Sequence, residues 1–384
     1  MSWAVITLTR NSLHLGLRVK EALRGNGTLY APEKILNSYR NEIIEQEVPD
    51  DLGNPGVANT SNVFDLSNIE SIYRPFKSFV KSIYKKHEGM IFIMATGIVV
   101  RSLEGLMEHK SKDPAVIVMD EKGEFIIPLL SGHLGGGNET ALLLAERLKA
   151  TPVITTASDV QGKIAVDMLS KKLGFVFDDF DAATRLSAKI VNDEPVTVFT
   201  EVPLPDWVEK YFSVVPCDKD QLLNKVRESI GGAIIISNRK QLRELDSTKR
   251  ESIQLYPKNL IIGIGARKNI SADHVQTSIK SVLQEFEYSP LSIKHFATVD
   301  VKEKEPGILE GIKAFNRPLR IISREEIKTV EGDFEGSDFV KKTLGISAVA
   351  EPAAYLSSGK KGAFIFGKRK IQGLTLALWK EKSH

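Results

Sequence analysis

The sequence of 384 residues contains one cysteine, Cys217. A single thiol cannot form a disulfide within the chain or build a cysteine-rich metal site, so both kinds of stabilising link are excluded. No apolar stretch approaches the ~18 residues of a membrane span. Residues 1–8 (MSWAVITL) lack the basic segment that opens a signal peptide. These absences predict a soluble protein of the cytoplasm, where thiols stay reduced.

Several catalytic motifs are also absent. The sequence has no HExxH, no CxxC and no GxSxG, which argues against a dedicated protein metal site and against the nucleophile elbow of serine hydrolases. The glycine-rich segment at residues 131–139 lacks the lysine of the phosphate loop GxxxxGK[ST] and the spacing of GxGxxG. A nucleotide- or phosphate-binding enzyme is therefore only a weak alternative.

Net charge is small and unevenly distributed. The chain carries 52 Lys and Arg against 49 Asp and Glu, a net charge of +3. Residues 256–384 hold 21 basic and 15 acidic residues (+6), which leaves 31 basic and 34 acidic residues (−3) for residues 1–255. A basic C-terminal third predicts an anionic partner, and its lack of interleaved aromatic residues argues against nucleic acid. The alternative is an ordinary solvated surface.

Short apolar runs alternate with helical patterns along almost the whole chain. This alternation predicts an α/β fold of several domains, built as three-layer α/β/α units with mostly parallel sheets. The chain is 42% apolar and 26% charged, a composition typical of a globular protein, and its length favours more than one hydrophobic core. We predict an N-terminal α/β domain at residues 1–161, a middle α/β domain with a charged linker at 162–255 and a basic C-terminal α/β domain at 256–384.

The expected elements follow this division. Strands are predicted at residues 4–8, 91–96, 115–119, 125–130, 196–200, 233–237, 260–265, 291–298, 319–323, 363–366 and 374–379. Helices are predicted at residues 13–24, 75–86, 97–108, 139–149, 164–172, 181–191, 271–285 and 307–315. Residues 120–123 (DEKG) predict a hairpin turn and residues 368–370 (KRK) a basic turn. Residues 50–62 predict a loop, and the charged residues 238–252 predict a linker across which residues 1–255 and 256–384 would fold independently.

The most informative segment is the glycine-rich stretch at residues 131–139 (SGHLGGGNE), between an apolar strand and an apolar helix. Glycines before a helix let the backbone approach a ligand, and they aim free N–H groups and the helix dipole at an anion. We predict that this loop binds an anionic substrate through Ser131, Gly132, Gly135, Gly136 and Asn138. The alternative is a plain glycine turn in which Asn138 is the N-cap and His133 packs against its neighbours.

His133 is the one histidine of seven whose setting indicates chemistry, because it stands among these glycines. We predict that His133 is catalytic, with Glu139 as a second catalytic candidate that would form an acid–base pair with it. Glu139 in the first turn of a helix also has a purely structural explanation. His295 lies on an apolar strand and is predicted to belong to the core.

Two further strand ends carry small polar residues where open α/β sheets hold ligands. The candidate substrate-binding residues at these ends are Thr96, Gly97, Arg101, Thr155, Thr156 and Asp159. Together with the glycine-rich loop they predict one polar crevice, in which Arg101 would clamp a carboxylate. A surface ion pair is the alternative for Arg101, and an N-cap is the alternative for Asp159.

The last third of the chain has strand ends of its own. Its candidate substrate-binding residues are Gly265, Arg267, Asp300, Glu305, Glu351, Lys368 and Lys370. Each also has a structural explanation; Pro352, for example, predicts a helix that begins directly after Glu351. Together they predict a second ligand-facing edge.

Motifs follow one another in a specific order in the first and last blocks. The first block contains residues 94–101 (MATGIVVR), 113–116 (DPAV), 128–139 (PLLSGHLGGGNE) and 152–159 (PVITTASD). The last block contains residues 263–265 (GIG), 291–292 (LS), 297–300 (ATVD), 305–307 (EPG), 349–354 (VAEPAA) and 368–370 (KRK). This ordered set resembles the CbiG family, the cobalt-precorrin-5A hydrolases of anaerobic cobalamin biosynthesis. Residues 162–252 match only in length and character. Gly137 stands where Ala is expected, and Ala266 stands where relatives often carry Cys, which argues against an essential thiol there.

The resemblance implies a reaction on a cobalt-containing tetrapyrrole. The ring A δ-lactone is opened, and the two-carbon unit of C20 leaves as acetaldehyde. His133 would act as general base on water or on the hydroxyl whose deprotonation expels the aldehyde, and N–H groups around Gly135 and Gly136 would stabilise the developing carboxylate. No cofactor and no protein metal site are implied, because the substrate carries the cobalt.

Cobalt-precorrin-5A is thus the expected small-molecule partner, with transient contacts to neighbouring pathway enzymes and with neither nucleic acid nor a membrane. The basic C-terminal third would attract this polycarboxylate in a salt-dependent way. The alternative from another functional class is a non-catalytic tetrapyrrole carrier or scaffold of the same pathway, which needs the anion-binding groups but no base.

Overall fold

The structure is a computed structural model that describes residues 2–47, 69–73, 75–109, 112–240 and 251–382. The chain forms two compact units, Met1–Gly162 and Lys163–His384, named here the N-terminal unit and the C-terminal unit. The loop predicted at residues 50–62 and the part of the predicted linker at residues 241–250 lie outside the described residues.

The described strands of the N-terminal unit form one sheet of seven strands. They are β1 (Trp3–Thr7), β2 (Gly27–Pro32), β3 (Ile69–Ile72), β4 (Gly89–Ile93), β5 (Ala115–Met119), β6 (Phe125–Leu130) and β7 (Thr151–Pro152). The helices described here are α1 (Arg10–Ala22), α2 (Glu33–Glu47), α3 (Phe76–Ile83), α4 (Thr96–Leu103), α5 (Gly137–Leu148) and α6 (Ala157–Val160). The strand order is β3-β2-β1-β4-β5-β6-β7.

The central strands of this sheet are apolar on both faces, as parallel strands covered by helices require. On one face Val5 and Ile91 pack in a cluster with Leu13 of α1 and Leu144 of α5. On the other face Phe92 packs in a second cluster, which also holds side chains of α3 and α4. The predicted three-layer α/β/α arrangement is confirmed in this unit.

The direction of β6 decides where the loops lie. β5 and β6 pair antiparallel across residues 120–123, where the Gly123 N–H donates to the Asp120 carbonyl at 3.1 Å, so the predicted hairpin is confirmed. β7 runs parallel to β6, whereas β1, β4 and β5 are parallel to one another. The C-terminal ends of β6 and β7 therefore lie at one edge of the sheet, named here the loop edge. Those of β1 and β4 lie at the other, named here the opposite edge.

The C-terminal unit contains two further sheets. The strands of the first are β8 (Phe175–Val176), β9 (Val196–Thr200), β10 (Ser213–Pro216), β11 (Gly232–Ile236) and β12 (Ser252–Pro257), in the order β10-β9-β11-β12-β8. The helices of this first part are α7 (Val166–Leu173), α8 (Phe180–Val191) and α9 (Lys219–Glu228). β9 to β12 pair in parallel and β8 is antiparallel to β12.

The second sheet of this unit has the order β15-β14-β13-β17-β16. Its strands are β13 (Leu260–Ala266), β14 (Ile293–Val299), β15 (Leu319–Ile322), β16 (Ala363–Ile371) and β17 (Leu374–Lys380). The helices that follow β12 are α10 (Ala272–Glu285), α11 (Pro306–Lys313), α12 (Arg324–Lys328), α13 (Asp338–Leu344) and α14 (Ala350–Ser357). β13, β14 and β15 are parallel, and β16 and β17 are antiparallel additions. The fold is thus mixed α/β with mostly parallel strands, as predicted.

Asn238 joins the two sheets of the C-terminal unit. Its side-chain amide donates to the Pro257 carbonyl at 3.0 Å and to Asn259 Oδ1 at 2.7 Å, and its carbonyl accepts from the Ser289 N–H at 2.8 Å. The predicted boundary between residues 255 and 256 lies inside β12, where Tyr256 is fully buried. The division into three domains stays a prediction.

Two local predictions in the C-terminal unit are wrong. Residues 368–370 belong to the long strand β16, and the turn that follows is formed by Gln372 and Gly373, with φ of 40° and 88°. The helix at Pro352 begins at Ala350, so this proline is the third helical residue rather than the first. Among the described residues, no helix combines the length and the apolar character needed to span a membrane.

Candidate active site

The glycine-rich loop folds back on itself at the end of β6. Ser131 and Gly136 have φ of 52° and 76°, and Gly136 is the N-cap of α5. A Cβ at Gly132 would lie only 2.5 Å from Asn138 Oδ1, so any other residue there would displace the Asn138 amide. The Gly136 N–H donates to the His133 carbonyl at 3.0 Å, and the Asn138 N–H donates to the Gly132 carbonyl at 2.9 Å. These two N–H groups stabilise the loop and are not directed at a ligand.

His133 lies in contact with residues from α6. Its Nε2 is 3.1 Å from Asp159 Oδ2 and 3.4 Å from the Ser158 hydroxyl oxygen. The His133 side chain is 14% exposed and that of Asp159 is 34% exposed. The histidine is thus held by neighbours and still accessible at one side, as a proton-transfer group needs to be.

Asn138 connects the loop to the same short helix. Its amide nitrogen lies 2.5 Å from Asp159 Oδ2 and 3.1 Å from Thr156 Oγ1. The N-cap alternatives for Asn138 and Asp159 are both wrong, because the N-caps of α5 and α6 are Gly136 and Thr156. A carboxylate and an amide are placed together at the loop edge through residues that are 21 positions apart in the sequence.

Ser131, Thr155 and Glu139 are the other predicted site residues at the loop edge. Ser131 donates to the Asp113 carbonyl at 3.0 Å, and Thr155 is exposed. Glu139 is exposed in the first turn of α5, and the Asp159 carboxylate contacts the His133 ring. Val160, next to Asp159 on α6, is 69% exposed, and Leu142, in the second turn of α5, is 51% exposed.

The structure separates Thr96, Gly97 and Arg101 from this group. Thr96 and Gly97 begin α4 directly after β4 and so lie at the opposite edge of the sheet, and Arg101 lies in the last turn of the same helix. The two edges are separated by the length of β5, whose five residues span about 16 Å. All three residues are exposed, and the Arg101 guanidinium lies over Gly97, at 3.3 Å from where a Cβ would be. Of the three strand ends that were predicted to form one crevice, those of β6 and β7 lie together, and that of β4 lies at the other edge of the sheet.

The C-terminal unit places several candidates at the C-terminal edge of β13 and β14. Asp300 Oδ1 pairs with Arg324 Nε at 3.1 Å. Glu305 is buried, accepts from the Asn269 N–H at 2.8 Å and pairs with Lys302 Nζ at 3.1 Å. Burial raises the pKa of Glu305, but these donors outweigh it and the net shift is downward. Both carboxylates are bound within their own unit.

Glu351 and Lys368 meet beside β16. Glu351 Oε1 lies 2.5 Å from where a Cβ at Gly367 would be. Burial raises the pKa of Glu351, and the Lys368 N–H and charge oppose that shift. Lys368 Nζ donates to the carbonyls of Glu335 and Gly336 at 2.9 and 3.1 Å. Both residues are therefore largely engaged in local structure.

Arg267 and Lys370 are exposed cations of the C-terminal unit. A Cβ added at Gly265 would lie 3.4 Å from the Cβ of Val349. A Cβ added at Gly263 would collide with the Ala350 carbonyl oxygen. The GIG motif is thus explained by the packing of α14 on β13. Among the described residues, no group of three or more His, Cys, Asp or Glu side chains could hold a metal ion.

Sequence reasoning did not single out Ser158 or Lys302. Ser158 is buried and contacts His133, and Lys302 neutralises Glu305. Ser158 could have been found from its place next to Asp159. Lys302 has the i, i+3 spacing to Glu305 that indicates an ion pair on a turn or helix.

Three family profiles match the chain. Residues 78–159 match "Cobalamin synthesis G N-terminal", residues 164–257 match "Cobalamin biosynthesis central region", and residues 260–379 match "Cobalamin synthesis G C-terminus". A cobalt-precorrin-5A hydrolase from Priestia megaterium is 34% identical over 295 residues, 76% of this chain and 78% of the relative. A cobalt-precorrin-5A hydrolase from Salmonella typhimurium is 32% identical over 306 residues, 79% of this chain and 85% of the relative.

Two solved structures are also similar. A cobalamin biosynthesis protein G homologue from Sulfolobus solfataricus is 19% identical, with a TM-score of 0.36 over 99% of this chain and 97% of that one. CobE, a protein of the cobalamin pathway, is 26% identical, with a TM-score of 0.31 over 33% of this chain and 94% of that one.

Proposed function

The chain belongs to the CbiG family, and on that premise we propose that it is a cobalt-precorrin-5A hydrolase. The two curated relatives that carry this name align with 76% and 79% of the chain. The matched N-terminal region ends at residue 159 and so includes both His133 and Asp159. The observation that carries the proposal is His133 on the glycine-rich loop in contact with Asp159 of α6, because a neutral-pH hydrolysis needs a positioned base.

We propose a reaction in two stages. In the first, His133 takes a proton from water, the hydroxyl adds to the ring A δ-lactone carbonyl, and the C–O bond breaks to give a carboxylate and a C20 hydroxyl. In the second, the hydroxyl loses its proton and the C–C bond to the macrocycle breaks. The bonding electrons stay on the macrocycle, which takes up a proton, and the two carbons leave as acetaldehyde. One water is consumed, and no oxidant or reductant is needed.

The backbone of the loop supports the first stage. Since the Gly136 N–H is bound to the His133 carbonyl, the loop donor proposed for the developing carboxylate is the Gly135 N–H. An oriented N–H of this kind stabilises an oxyanion without reorganisation during the reaction. Exposed Leu142 and Val160 would contact the apolar face of the macrocycle.

The carboxylates of the substrate require cationic partners. In the C-terminal unit, Arg267 and Lys370 are exposed and available for this role. The substrate brings the cobalt, so we propose that the enzyme uses no further cofactor. The protein would act in the cytoplasm, with transient contacts to neighbouring pathway enzymes that supply and take up the macrocycle.

The direct test is release of acetaldehyde from cobalt-precorrin-5A by the purified protein, measured with an alcohol dehydrogenase and NADH. Wild type should release one aldehyde per substrate over many turnovers. His133→Ala should lower kcat by about 10²–10⁴-fold, the usual cost of removing a general base. His14→Ala is the matched control, because His14 is exposed on α1, and should leave kcat unchanged.

Far-UV circular dichroism must show that both variants are folded. Stoichiometric binding by wild type without any aldehyde would favour the carrier function instead. Turnover of His133→Ala close to wild type would remove His133 from the chemistry.

A further inference from the structure

We propose that the C-terminal end of β13 is a preformed site for a carboxylate of the tetrapyrrole, with Arg267 held in a fixed position and Lys370 as its second cation. This inference rests on the proposed function, which supplies a polycarboxylate substrate. Three features of the C-terminal unit support it: the packing of the Arg267 side chain, the common face of the two cations and the different contacts of the residues beside Lys370.

The two cations lie on the same face of the second sheet of the C-terminal unit. Three apolar residues lie side by side at this end of β13, β17 and β16 and pack in the apolar cluster under α10: Ala266, Leu374 and Ile371. Because side chains alternate between the faces of a strand, the adjoining Arg267 and Lys370 point to the other face, on which α14 packs. Two strand spacings, about 10 Å, separate β13 from β16, so both long side chains can reach one carboxylate.

The Arg267 side chain lies across the turn that joins β16 to β17. Its backbone N–H donates to the Gly373 carbonyl at 2.9 Å, which continues the pairing of β13 with β17 beyond Ala266. Arg267 Cδ lies 3.1 Å, and Nε 3.6 Å, from where a Cβ at Gly373 would be. Gly373 has φ of 88°, a conformation that favours glycine. Glycine at this position therefore leaves room for the arginine to lie against the turn.

The segment that carries Arg267 is also fixed at its other end. The Asn269 N–H donates to buried Glu305 at 2.8 Å, and Asn269 has φ of 60°, in the left-handed region. Lys302 Nζ lies 3.1 Å from the second carboxylate oxygen of Glu305. The backbone of Arg267 is thus held on both sides before a ligand binds, which lowers the entropic cost of binding.

The two residues before Lys370 are engaged elsewhere. Arg369 points to the α10 face, where its Cζ lies 4.7 and 5.4 Å from the centroids of two phenylalanine rings and its guanidinium pairs with Glu285. Lys368 donates to two backbone carbonyls at 2.9 and 3.1 Å. Within the described part of the chain, neither Arg267 nor Lys370 forms an ion pair. Two such cations on one face repel each other, and a carboxylate bound between them offsets that repulsion.

The kinetics of the full-length protein test the site. Arg267→Met and Lys370→Met should each raise the KM for cobalt-precorrin-5A about fivefold, the upper range for an exposed ion pair. We expect kcat to stay within about twofold of wild type, because a contact made equally in the ground state and the transition state changes KM alone.

Arg369→Met is the matched control. It removes the same charge from the same strand on the opposite face, and it should leave KM unchanged. An equal rise of KM for Arg369→Met would overturn the site, because it would show a response to net charge rather than to position.

A pair of glycine variants tests the fixed position of Arg267. Gly373→Ala keeps every charge, but its methyl group would push the arginine aside, so KM should rise about as much as in Arg267→Met. Gly359→Ala is the matched control, since Gly359 has φ of 67° and an added Cβ would meet nothing within 4 Å. Both variants carry similar backbone strain, so equal KM values in the two would overturn the positioning of Arg267.

Binding of uroporphyrin III, a tetrapyrrole with eight carboxylates, gives a readout that does not depend on turnover. Its fluorescence, titrated with wild-type protein, should give a Kd that rises with salt, and Arg267→Met and Lys370→Met should each weaken binding about fivefold. No binding by wild type, or an unchanged Kd in either variant, would overturn the site. Absence of aldehyde release by wild type would instead overturn the proposed function, and the uroporphyrin titrations would still decide whether this site binds carboxylates.

Discussion

At the scale of single residues, three histidines show how setting decides role. His133 stands on a glycine loop with a carboxylate and a hydroxyl beside its Nε2. His295, predicted to be a core residue, is 1% exposed on β14, which confirms that prediction. His14 is exposed on α1. An imidazole can serve catalysis only where it is both held and accessible, and the first of these three fulfils both conditions.

The burial of His295 predicts a pH dependence of stability. Burial, with Arg320 and Lys294 nearby, lowers the pKa of His295 from 6.5 to about 3. Between these values the unfolded state binds a proton that the folded state does not, so the free energy of unfolding falls as pH falls. From pH 7 to pH 5 this histidine should remove about 2 kcal/mol.

Urea unfolding of wild type and His295→Phe at pH 7 and pH 5 measures this effect. The variant should lose less stability between the two pH values than wild type does, by about the same 2 kcal/mol. His14→Ala, which removes an exposed imidazole, should keep the wild-type difference. Equal pH differences in wild type and His295→Phe would contradict the prediction.

At the scale of elements, the antiparallel insertion of β6 decides which loops can share a substrate. Because β6 is antiparallel to β5 and β7 follows β6, residues 131–138 and 155–159 meet at the loop edge. Thr96 begins α4 at the opposite edge, and the Arg101 guanidinium, which comes from the last turn of α4, lies over Gly97 at that edge. A molecule bound at His133 would have to pass the full length of β5 to reach Arg101.

This placement predicts the outcome of replacing Arg101. Arg101→Met should change the KM for cobalt-precorrin-5A by no more than about threefold, because the guanidinium lies at the other edge of the sheet. Arg18→Met, at an exposed position of α1, is the matched control. Acetaldehyde release at varied substrate concentration gives KM for both. A tenfold rise for Arg101→Met alone, worth about 1.4 kcal/mol, would place a substrate carboxylate at α4.

At the scale of the whole molecule, the chain divides after residue 162 into two compact units, each with its own sheets and apolar clusters. Within the C-terminal unit, β12 continues past residue 255, and Asn238 bonds to both Pro257 and Asn259. A cut at 255/256 would divide a buried strand, whereas a cut at 162/163 follows the boundary between the units. Cooperative folding depends on keeping such a core intact.

We therefore expect residues 1–162 and 163–384, expressed separately, each to unfold in one cooperative transition. Residues 163–255 alone should not, because they lose Tyr256 and Pro257 from β12 together with the partners of Asn238. Urea unfolding followed by circular dichroism decides between these outcomes. A stable, cooperative fragment 163–255 would show that the middle sheet needs no support from the rest of its unit.

Local sequence determined much of this protein. Apolar periodicity predicted β5, β6 and β9 at their observed bounds, because buried strands need continuous apolar side chains. Turn residues 120–123 predicted the hairpin, and glycines at 131–137 predicted a tight loop before a helix. The ordered motifs also indicated the CbiG family. All of these depend on residues that are close in the chain.

Only the tertiary structure decided which of these parts meet. Periodicity does not encode the direction of a strand, so the separation of Thr96 from His133 could not be read from the sequence. His133 and Asp159 are 26 residues apart and touch because β7 lies beside β6. Residues 368–370 look like a turn by charge but belong to β16, and Arg369 and Lys370 pair with β17, since a ladder of backbone hydrogen bonds outweighs local side-chain preference. Sequence specifies the elements, and the pairing of distant strands specifies the site.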